Sequence, residues 1–245
     1  MTKFIILATQ RTGSTFLWRY LNSHPQIRAH GEVFYRKDKF SYREYYNSSL
    51  KKKLFHFFFQ KKVIFSYLDE FFVPLYGEKA IGFKLMYSQL KKYPSIEEWI
   101  FLRKPHIIHL IRKNVLKIIV SRETAKLRKL YHLEKNSNMS IKPIKVTLDP
   151  KKLIKEIKEI LSDVEKHRKK YAQLPFYLEI KYEDFFQNKE KNTKKILEFL
   201  NVKYIFPLEE SLKKINPDSL EELIENYTEV VNHLKGTPYE KYLYS

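Results

Sequence analysis

The N-terminal segment constrains the fold most, because an apolar run is followed at once by a polar turn and an amphipathic stretch. Residues 3–9 are KFIILAT, and residues 9–15 are TQRTGST. A short isoleucine-rich run bounded by small polar residues predicts a buried strand of the parallel type. The stretch from Thr15 to Asn22 predicts a helix that ends near Pro25. The chain is therefore expected to open with a strand–turn–helix unit.

The rest of the chain alternates apolar runs with helical patterns. Further strands are predicted at Ala80–Met86, His106–Ile111 and Phe176–Ile180, amphipathic helices at Pro150–Tyr171 and Ser219–Leu234, and a loop at Lys135–Asp149. Strands that alternate with helices are typical of a doubly wound α/β fold with three layers. We expect a central parallel sheet of four or five strands flanked by helices, and a single domain over residues 1–245.

Residues 41–76 are rich in aromatic side chains. Seven phenylalanines occur there, at positions 55, 57, 58, 59, 65, 71 and 72. Their uneven spacing predicts helices with a wide apolar face. This helical insertion either packs onto the core or forms an acceptor-binding region, and the sequence leaves both interpretations open.

Composition excludes some kinds of chemistry. The chain has no cysteine, which rules out disulfides, thiolate nucleophiles and zinc sites built on cysteine. Its longest apolar run, residues 4–8, is too short to cross a bilayer and makes a poor signal peptide, so we expect a soluble, cytoplasmic protein.

The net charge of +19 would attract a nucleotide, an anionic glycan or an acidic lipid headgroup, and so leaves peripheral membrane contact open. The lysines are scattered in short groups, as on a solvated surface, and we expect no nucleic-acid partner.

The turn after the first strand has the composition of an anion site. Backbone N–H groups at such a turn, together with the N-terminus of the next helix, can surround a phosphate. Gly13 allows close approach of the backbone, Ser14 and Thr15 add hydroxyl donors, and Arg11 adds a planar cation. The segment therefore predicts binding of an anionic group.

The same turn departs from the nucleoside-triphosphate pattern G-x-x-x-x-G-K-[ST]. Ala8 occupies the place of its first glycine, and Ser14 occupies the place of its lysine. A P-loop kinase of a small metabolite would need that lysine for the β- and γ-phosphates, so it is the weaker alternative. A third hypothesis is a non-catalytic basic module that binds polyanions, whose affinity would fall steeply with salt.

The segment ATQRTGSTFL, residues 8–17, resembles the 5′-phosphosulfate loop of sulfotransferases that use 3′-phosphoadenosine 5′-phosphosulfate (PAPS). The similarity is strongest to the bacterial glycan type represented by trehalose sulfotransferase. It implies a P-loop-like sulfotransferase fold in which the 5′-phosphosulfate is held by Arg11, Thr12, Gly13, Ser14 and Thr15. It also implies that PAPS is the sulfuryl donor and leaves as adenosine 3′,5′-bisphosphate (PAP).

A second motif follows the third predicted strand. Arg112 ends this strand and Ser121 lies nine positions later on the next helix. The resemblance implies that the two bind the 3′-phosphate, since a guanidinium offers two-point geometry and a hydroxyl adds one directional donor. Many animal members have an eight-residue spacing, which makes Lys113 the alternative to Arg112.

The catalytic base is also implied by the resemblance. The bacterial glycan type carries a Gly-Glu pair after its first helix, which corresponds here to Gly31 and Glu32. Glu32 is thus the expected base, and Arg11 the expected catalytic cation where leaving-group charge develops. His30 is the rival base because an imidazole titrates near neutrality. Lys84 either approaches the sulfuryl group or has a structural role.

The expected reaction is PAPS plus R–OH giving PAP plus R–OSO₃⁻. No metal is expected, because the sequence contains no cluster of metal ligands. The resemblance favours a carbohydrate hydroxyl as acceptor and makes a homodimer plausible. Glu183 and Asp184, in a YED turn after the fourth predicted strand, are expected to cap the next helix.

Overall fold

The computed structural model describes residues 1–35, 40–128, 133–134, 144–213, 216 and 219–244. Its strands are β1 (Thr2–Ala8), β2 (Ile27–His30), β3 (Ala80–Met86), β4 (His106–Ile111), β5 (Leu133–Glu134), β6 (Tyr177–Lys181) and β7 (Leu212–Lys213). Five of them form a parallel sheet in the order β2-β3-β1-β4-β6, and β5 pairs with β7 in a separate antiparallel pair. The expected parallel α/β sheet is confirmed, with five strands.

The helices lie between these strands. They are α1 (Ser14–Asn22), α2 (Tyr42–Asn47), α3 (Leu50–Phe71), α4 (Tyr87–Lys92), α5 (Pro94–Arg103), α6 (Val115–Arg128), α7 (Pro150–Tyr171), α8 (Tyr182–Gln187), α9 (Lys189–Phe199) and α10 (Tyr227–Leu234), with a 3₁₀ turn at Glu240–Leu243. The flanking helices cover both faces of the sheet, as the three-layer interpretation predicts.

Strand β1 lies at the centre of the sheet, and its side chains alternate between two cores. Ile5 and Leu7 pack with Trp99 and the buried residues of α3, whereas Phe4 and Ile6 pack on the opposite face with residues of α1 and α9. All four side chains are buried, two on each face of the sheet, which explains the nearly continuous apolar run in the sequence.

Glycine at position 82 makes room for an aromatic ring. Gly82 is paired with Phe4 across the parallel strands β3 and β1. A Cβ atom built on Gly82 would lie 2.5 Å from the ring of Phe4, well inside van der Waals contact. The glycine of the GFKLM run is therefore explained by packing.

The boundaries of several elements agree with the sequence. Strands β3 and β4 have the predicted limits, as does helix α7, and β1, α1 and β6 are shifted by about one residue. Strand β2 was not predicted. Its four residues alternate between buried and half-buried positions and include Arg28 and His30, so the apolar signal is too short to register.

One predicted helix is wrong over half its length. The chain from Ser219 to Glu225 is not helical, and α10 begins only at Tyr227. The reason is a pairing with a distant segment: the N–H of Val146 donates to the carbonyl of Leu223 (2.8 Å), and the N–H of Glu225 donates to the carbonyl of Val146 (3.0 Å). These bonds hold the segment as an isolated parallel bridge. Most of the loop predicted at Lys135–Asp149 lies outside the described residues, and its part from 144 to 149 is not helical.

Candidate active site

The anion loop joins the carboxyl end of β1 to α1 and has an unusual backbone. Arg11 and Gly13 both have positive φ, 64° and 85°. Such a φ is uncommon for a residue with a side chain and is often found at ligand sites. Gly13 is also the cap of α1, and a Cβ atom on it would lie 2.4 Å from the Tyr182 ring. Only glycine fits this position.

The polar side chains of the loop are buried at the start of α1. Thr12, Ser14 and Thr15 are almost inaccessible, and the Thr12 hydroxyl donates to the carbonyl of Thr9 (2.9 Å). The first N–H groups of a helix have no intrahelical acceptor, and the helix dipole favours an anion there. The loop therefore has the donors and the electrostatics that a phosphate or sulfate group requires.

The structure brings the two predicted nucleotide motifs together. Nη1 of Arg112 donates to the backbone carbonyl of Arg11 (3.1 Å), and Nε of Arg11 donates to Oγ of Ser121 (3.1 Å). This is possible because β1 and β4 are neighbours in the sheet. The chain continues from β1 towards β2 at one edge of the sheet, and from β4 towards β6 at the other edge. Ligands of doubly wound sheets bind at such a switch point.

The YED turn supports this arrangement from the end of β6. The Glu183 carboxylate accepts hydrogen bonds from the backbone N–H groups of Lys113 (2.8 Å) and Asn114 (3.2 Å), and it lies 3.9 Å from Nε of Arg112. Glu183 therefore holds the two residues before α6, and the prediction that it caps its own helix α8 is wrong, because α8 has no side-chain cap. The Arg112 guanidinium also lies over the Tyr182 ring, 5.0 Å from its centroid.

Lys113, the alternative to Arg112, has a different neighbour. Its side chain is about half exposed, and its ammonium forms an ion pair with Asp184. Arg112 is more enclosed and directly contacts the anion loop. Of the two, Arg112 is the side chain that the structure joins to the loop.

A second polar cluster adjoins the start of α1. The Lys84 ammonium, on β3, donates to Oγ1 of Thr15 (3.0 Å) and forms an ion pair with Glu32 (2.8 Å). The other carboxylate oxygen of Glu32 accepts a hydrogen bond from Nε2 of Gln89 (3.1 Å), and Oε1 of Gln89 accepts one from the N–H of Met86 (3.1 Å). The lysine is buried and the glutamate is one-fifth exposed, so the carboxylate is fixed yet accessible.

His30, the rival base, packs in a different environment. It is the last residue of β2, and its ring lies 4.5 Å from that of Phe40 and 5.4 Å from that of Phe71. These are aromatic packing contacts next to α3. The cluster at Thr15, by contrast, includes Glu32.

Two residues of the site were missed by the sequence analysis. Gln89 lies three residues after the end of β3, a position where a glutamine often bonds back to the start of a helix. That spacing could have identified Gln89 from the sequence. The role of Tyr182 could not be predicted in this way, because its contact with Gly13 joins segments far apart in the chain.

In the described part of the chain, the His, Asp and Glu residues form no group of three or more that could hold a metal ion. None of the helices in that part is both long enough and apolar enough to cross a membrane.

The sheet order, the loop after β1 and the arginine after β4 define the class: a P-loop-like α/β fold with an anion site at the switch point of its sheet. The chain belongs to the Sulfotransferase family, whose model matches residues 4–205, and is thereby a sulfotransferase. No curated protein matches it in sequence.

Solved sulfotransferases resemble the structure at low sequence identity. A sulfotransferase from Alicyclobacillus acidocaldarius is 16% identical over 96% of this chain and 94% of its own, with a TM-score of 0.51. A mouse sulfotransferase complexed with PAP is 14% identical over 83% of this chain and 59% of its own, with a TM-score of 0.47. Retinol dehydratase in complex with androsterone and PAP is 15% identical over 96% and 81%, with a TM-score of 0.44. The first similarity supports the fold.

Proposed function

We propose that this sulfotransferase is of the bacterial glycan type and transfers the sulfuryl group of PAPS to a carbohydrate hydroxyl. The contact between the two nucleotide motifs supports PAPS as the donor, and the resemblance of residues 8–17 to the glycan type supports the carbohydrate acceptor. Arg112 holds the carbonyl of Arg11 and Arg11 holds Ser121, so a cation and a hydroxyl adjoin the anion loop in one continuous arrangement. A nucleotide with phosphates at both the 5′ and 3′ positions needs two such adjacent anion sites.

The residues fit PAPS on their own chemistry. The loop has a glycine where a Cβ atom would collide with Tyr182, and its buried hydroxyls lie at a helix N-terminus. In the proposal, Arg11 to Thr15 hold the 5′-phosphosulfate, while Arg112 and Ser121 hold the 3′-phosphate. PAPS, when bound, supplies the sulfuryl group and leaves as PAP.

Glu32 is the proposed base. Its accessible carboxylate would accept the proton of the acceptor hydroxyl as that oxygen bonds to sulfur. Lys84 fixes Glu32 relative to Thr15, and its charge, with that of Arg11, would stabilise the phosphate oxygen that gains charge when the S–O bond breaks. Residues 41–76, which include α2 and α3, follow Glu32 closely in the chain. The second half of α3 packs on the core, and the other residues remain the proposed acceptor-binding region.

The first experiment is calorimetric titration of the protein with PAP, 5′-ADP and ATP, with and without magnesium. We expect PAP to bind most tightly, without magnesium. Arg112→Ala should weaken PAP binding roughly 10- to 100-fold, the range for losing a charged hydrogen-bond partner. It should leave binding of 5′-ADP, which lacks the 3′-phosphate, much less affected.

Arg103→Ala is the matched control, because Arg103 forms an exposed ion pair with Asp69 on another surface. It should bind PAP like the wild type. A preference for ATP with magnesium would favour the kinase alternative. Equal affinity for PAP and 5′-ADP would contradict the assignment of Arg112 and Ser121.

A further inference from the structure

The first half of α3 exposes an unusual number of large apolar side chains. Phe57 and Phe58 are 80% and 70% exposed, and Leu50 and Leu54 are 75% and 56% exposed. Exposed apolar residues are common singly, but a contiguous group of them marks an interaction surface. We call the side chains of Leu50, Leu54, Phe57 and Phe58 the α3 apolar stripe.

These four residues share one face of the helix, since they are spaced at i, i+4, i+7 and i+8. The rest of the protein contacts a different face of this half of α3. There the Lys52 ammonium lies 3.9 Å from the centroid of the Tyr45 ring, and the His56 ring stacks on Tyr46 at 4.0 Å. In the helix, positions 52 and 56 are turned away from positions 50, 54, 57 and 58, so the stripe faces outward.

The surroundings of the stripe are strongly basic. Five lysines (51, 52, 53, 61 and 62) and no acidic residue occur between positions 50 and 62, and one of them, Lys61, is paired with Glu98 of α5. Lys51 and Lys53 are exposed beside the stripe, and the Lys62 ammonium lies 5.3 Å from the Phe59 ring centroid. Exposed aromatic and leucine side chains flanked by lysines are typical of helices that lie in the interface of a membrane.

We propose that the α3 apolar stripe and its flanking lysines dock on the surface of an anionic lipid bilayer. The phenylalanine and leucine side chains would enter the region between headgroups and acyl chains, and the lysines would contact anionic headgroups. The charge of the flanking lysines favours a bilayer, rather than a second copy of this chain, as the docking partner. A symmetric contact of the stripe with itself would bring the lysines of one copy against those of the other.

Docking would also orient the catalytic side of the molecule. Ring contacts connect the stripe's helix to the residues after Glu32: His56 lies 5.5 Å from Tyr42, and Tyr42 lies 5.3 Å from Phe34. Phe34 follows Glu32 by two positions. An acceptor carried by a lipid could then reach the site from the membrane, a consequence that rests on the proposed function, whereas the docking itself does not.

The test is co-sedimentation of the full chain with vesicles of phosphatidylcholine that contain about one third phosphatidylglycerol, an anionic surface. The wild type should pellet with these vesicles and stay in the supernatant with pure phosphatidylcholine. Phe57→Ser/Phe58→Ser should lower the partition coefficient about tenfold or more, because two apolar side chains are lost from the interface. Lys51→Glu/Lys53→Glu should lower it as well.

Lys155→Glu/Lys158→Glu is the matched control, since it makes the same charge change at two exposed positions of α7. It should bind vesicles like the wild type. Equal loss in this control would show that net charge alone drives binding and would overturn the proposal. So would sedimentation velocity showing a dimer that Phe57→Ser/Phe58→Ser dissociates, with no vesicle binding by the wild type. PAP titration of each variant separates these outcomes from failure of the proposed function.

Discussion

The carboxylate of Glu32 is held from two sides. Lys84 contacts one oxygen at 2.8 Å and Gln89 the other at 3.1 Å. The lysine also contacts Thr15 in the anion loop, so one buried ammonium fixes the proposed base relative to the proposed donor site. When reacting groups are already held in place, the entropy cost of ordering them does not add to the barrier, and this is a large part of enzymatic rate enhancement.

Glu32→Gln should therefore separate binding from turnover. The amide keeps the size of the side chain but cannot accept the acceptor's proton, so we expect kcat to fall by about 10²- to 10⁴-fold, the usual contribution of a general base. PAP affinity should stay near the wild-type value, because the amide does not touch the anion loop directly. The assay is transfer of labelled sulfate from PAPS to trehalose, the first acceptor to try.

His30→Gln is the comparison in the same assay. Its ring packs on Phe40 and Phe71, so we expect it to retain most of the turnover. If His30→Gln loses turnover and Glu32→Gln keeps it, the base has been assigned to the wrong residue.

Strand β4 carries a histidine in an otherwise apolar core. His109 is fully buried, and its two ring nitrogens contact the hydroxyls of Tyr87 and, at 2.6 Å, Tyr177. The Tyr177 hydroxyl donates to Glu179 at 3.3 Å, so it accepts from Nδ1–H of His109, whose Nε2 then accepts from Tyr87. Burial opposes ionisation of Glu179, but Arg168 more than offsets this and the pKa of Glu179 lies below its usual value.

This network suits only the neutral imidazole, and burial lowers the pKa of His109 from 6.5 to about 3. The unfolded chain takes up the proton first as the pH falls, so stability is present above about pH 6.5 and is lost below it. Burial also lowers the pKa of His167, which stacks on Tyr87 and acts in the same direction. Acid should therefore weaken the packing of α7 and α4 on the sheet.

We predict that the free energy of unfolding falls by about 2 kcal/mol more between pH 7 and pH 5 in the wild type than in His109→Gln. Glutamine supplies one donor and one acceptor but does not titrate in this range. The measurement is urea unfolding of both proteins at the two pH values. Parallel losses in the two would show that His109 does not carry the effect.

The complete arrangement shows which features a sequence can reveal. The run KFIILAT, the glycine-containing turn and the apolar strands β3 and β4 were predicted because each signal is local. Strand β2 was missed because four mixed residues gain their structure from pairing with β3. The Lys84–Glu32 pair and the Tyr182–Gly13 contact were missed because they depend on which segments the sheet order brings together. The helix predicted from Ser219 was wrong for the same reason, because this segment forms an isolated bridge with Val146.

The single-domain organisation remains a prediction, and β1 supplies the physical argument for it. Its side chains belong to both cores, so removing either helical layer would expose a strand that is apolar on both faces. We therefore expect one unfolding transition. The two tryptophans of the chain report on different layers: Trp18 packs on the α1 side, and Trp99 is buried on the opposite side. In Trp18→Phe the fluorescence follows Trp99, and in Trp99→Phe it follows Trp18.

For each variant, the fluorescence midpoint in urea should coincide with the midpoint from far-ultraviolet circular dichroism, because the layers cannot unfold separately. PAP at about 100 times its dissociation constant should raise the free energy of unfolding by about 2.7 kcal/mol as seen by both probes. Separate midpoints, or a PAP shift confined to the Trp18 layer, would mean that the molecule contains two folding units. A single shifted transition would mean that a ligand bound at the ends of β1 and β4 stabilises both layers through the strand that they share.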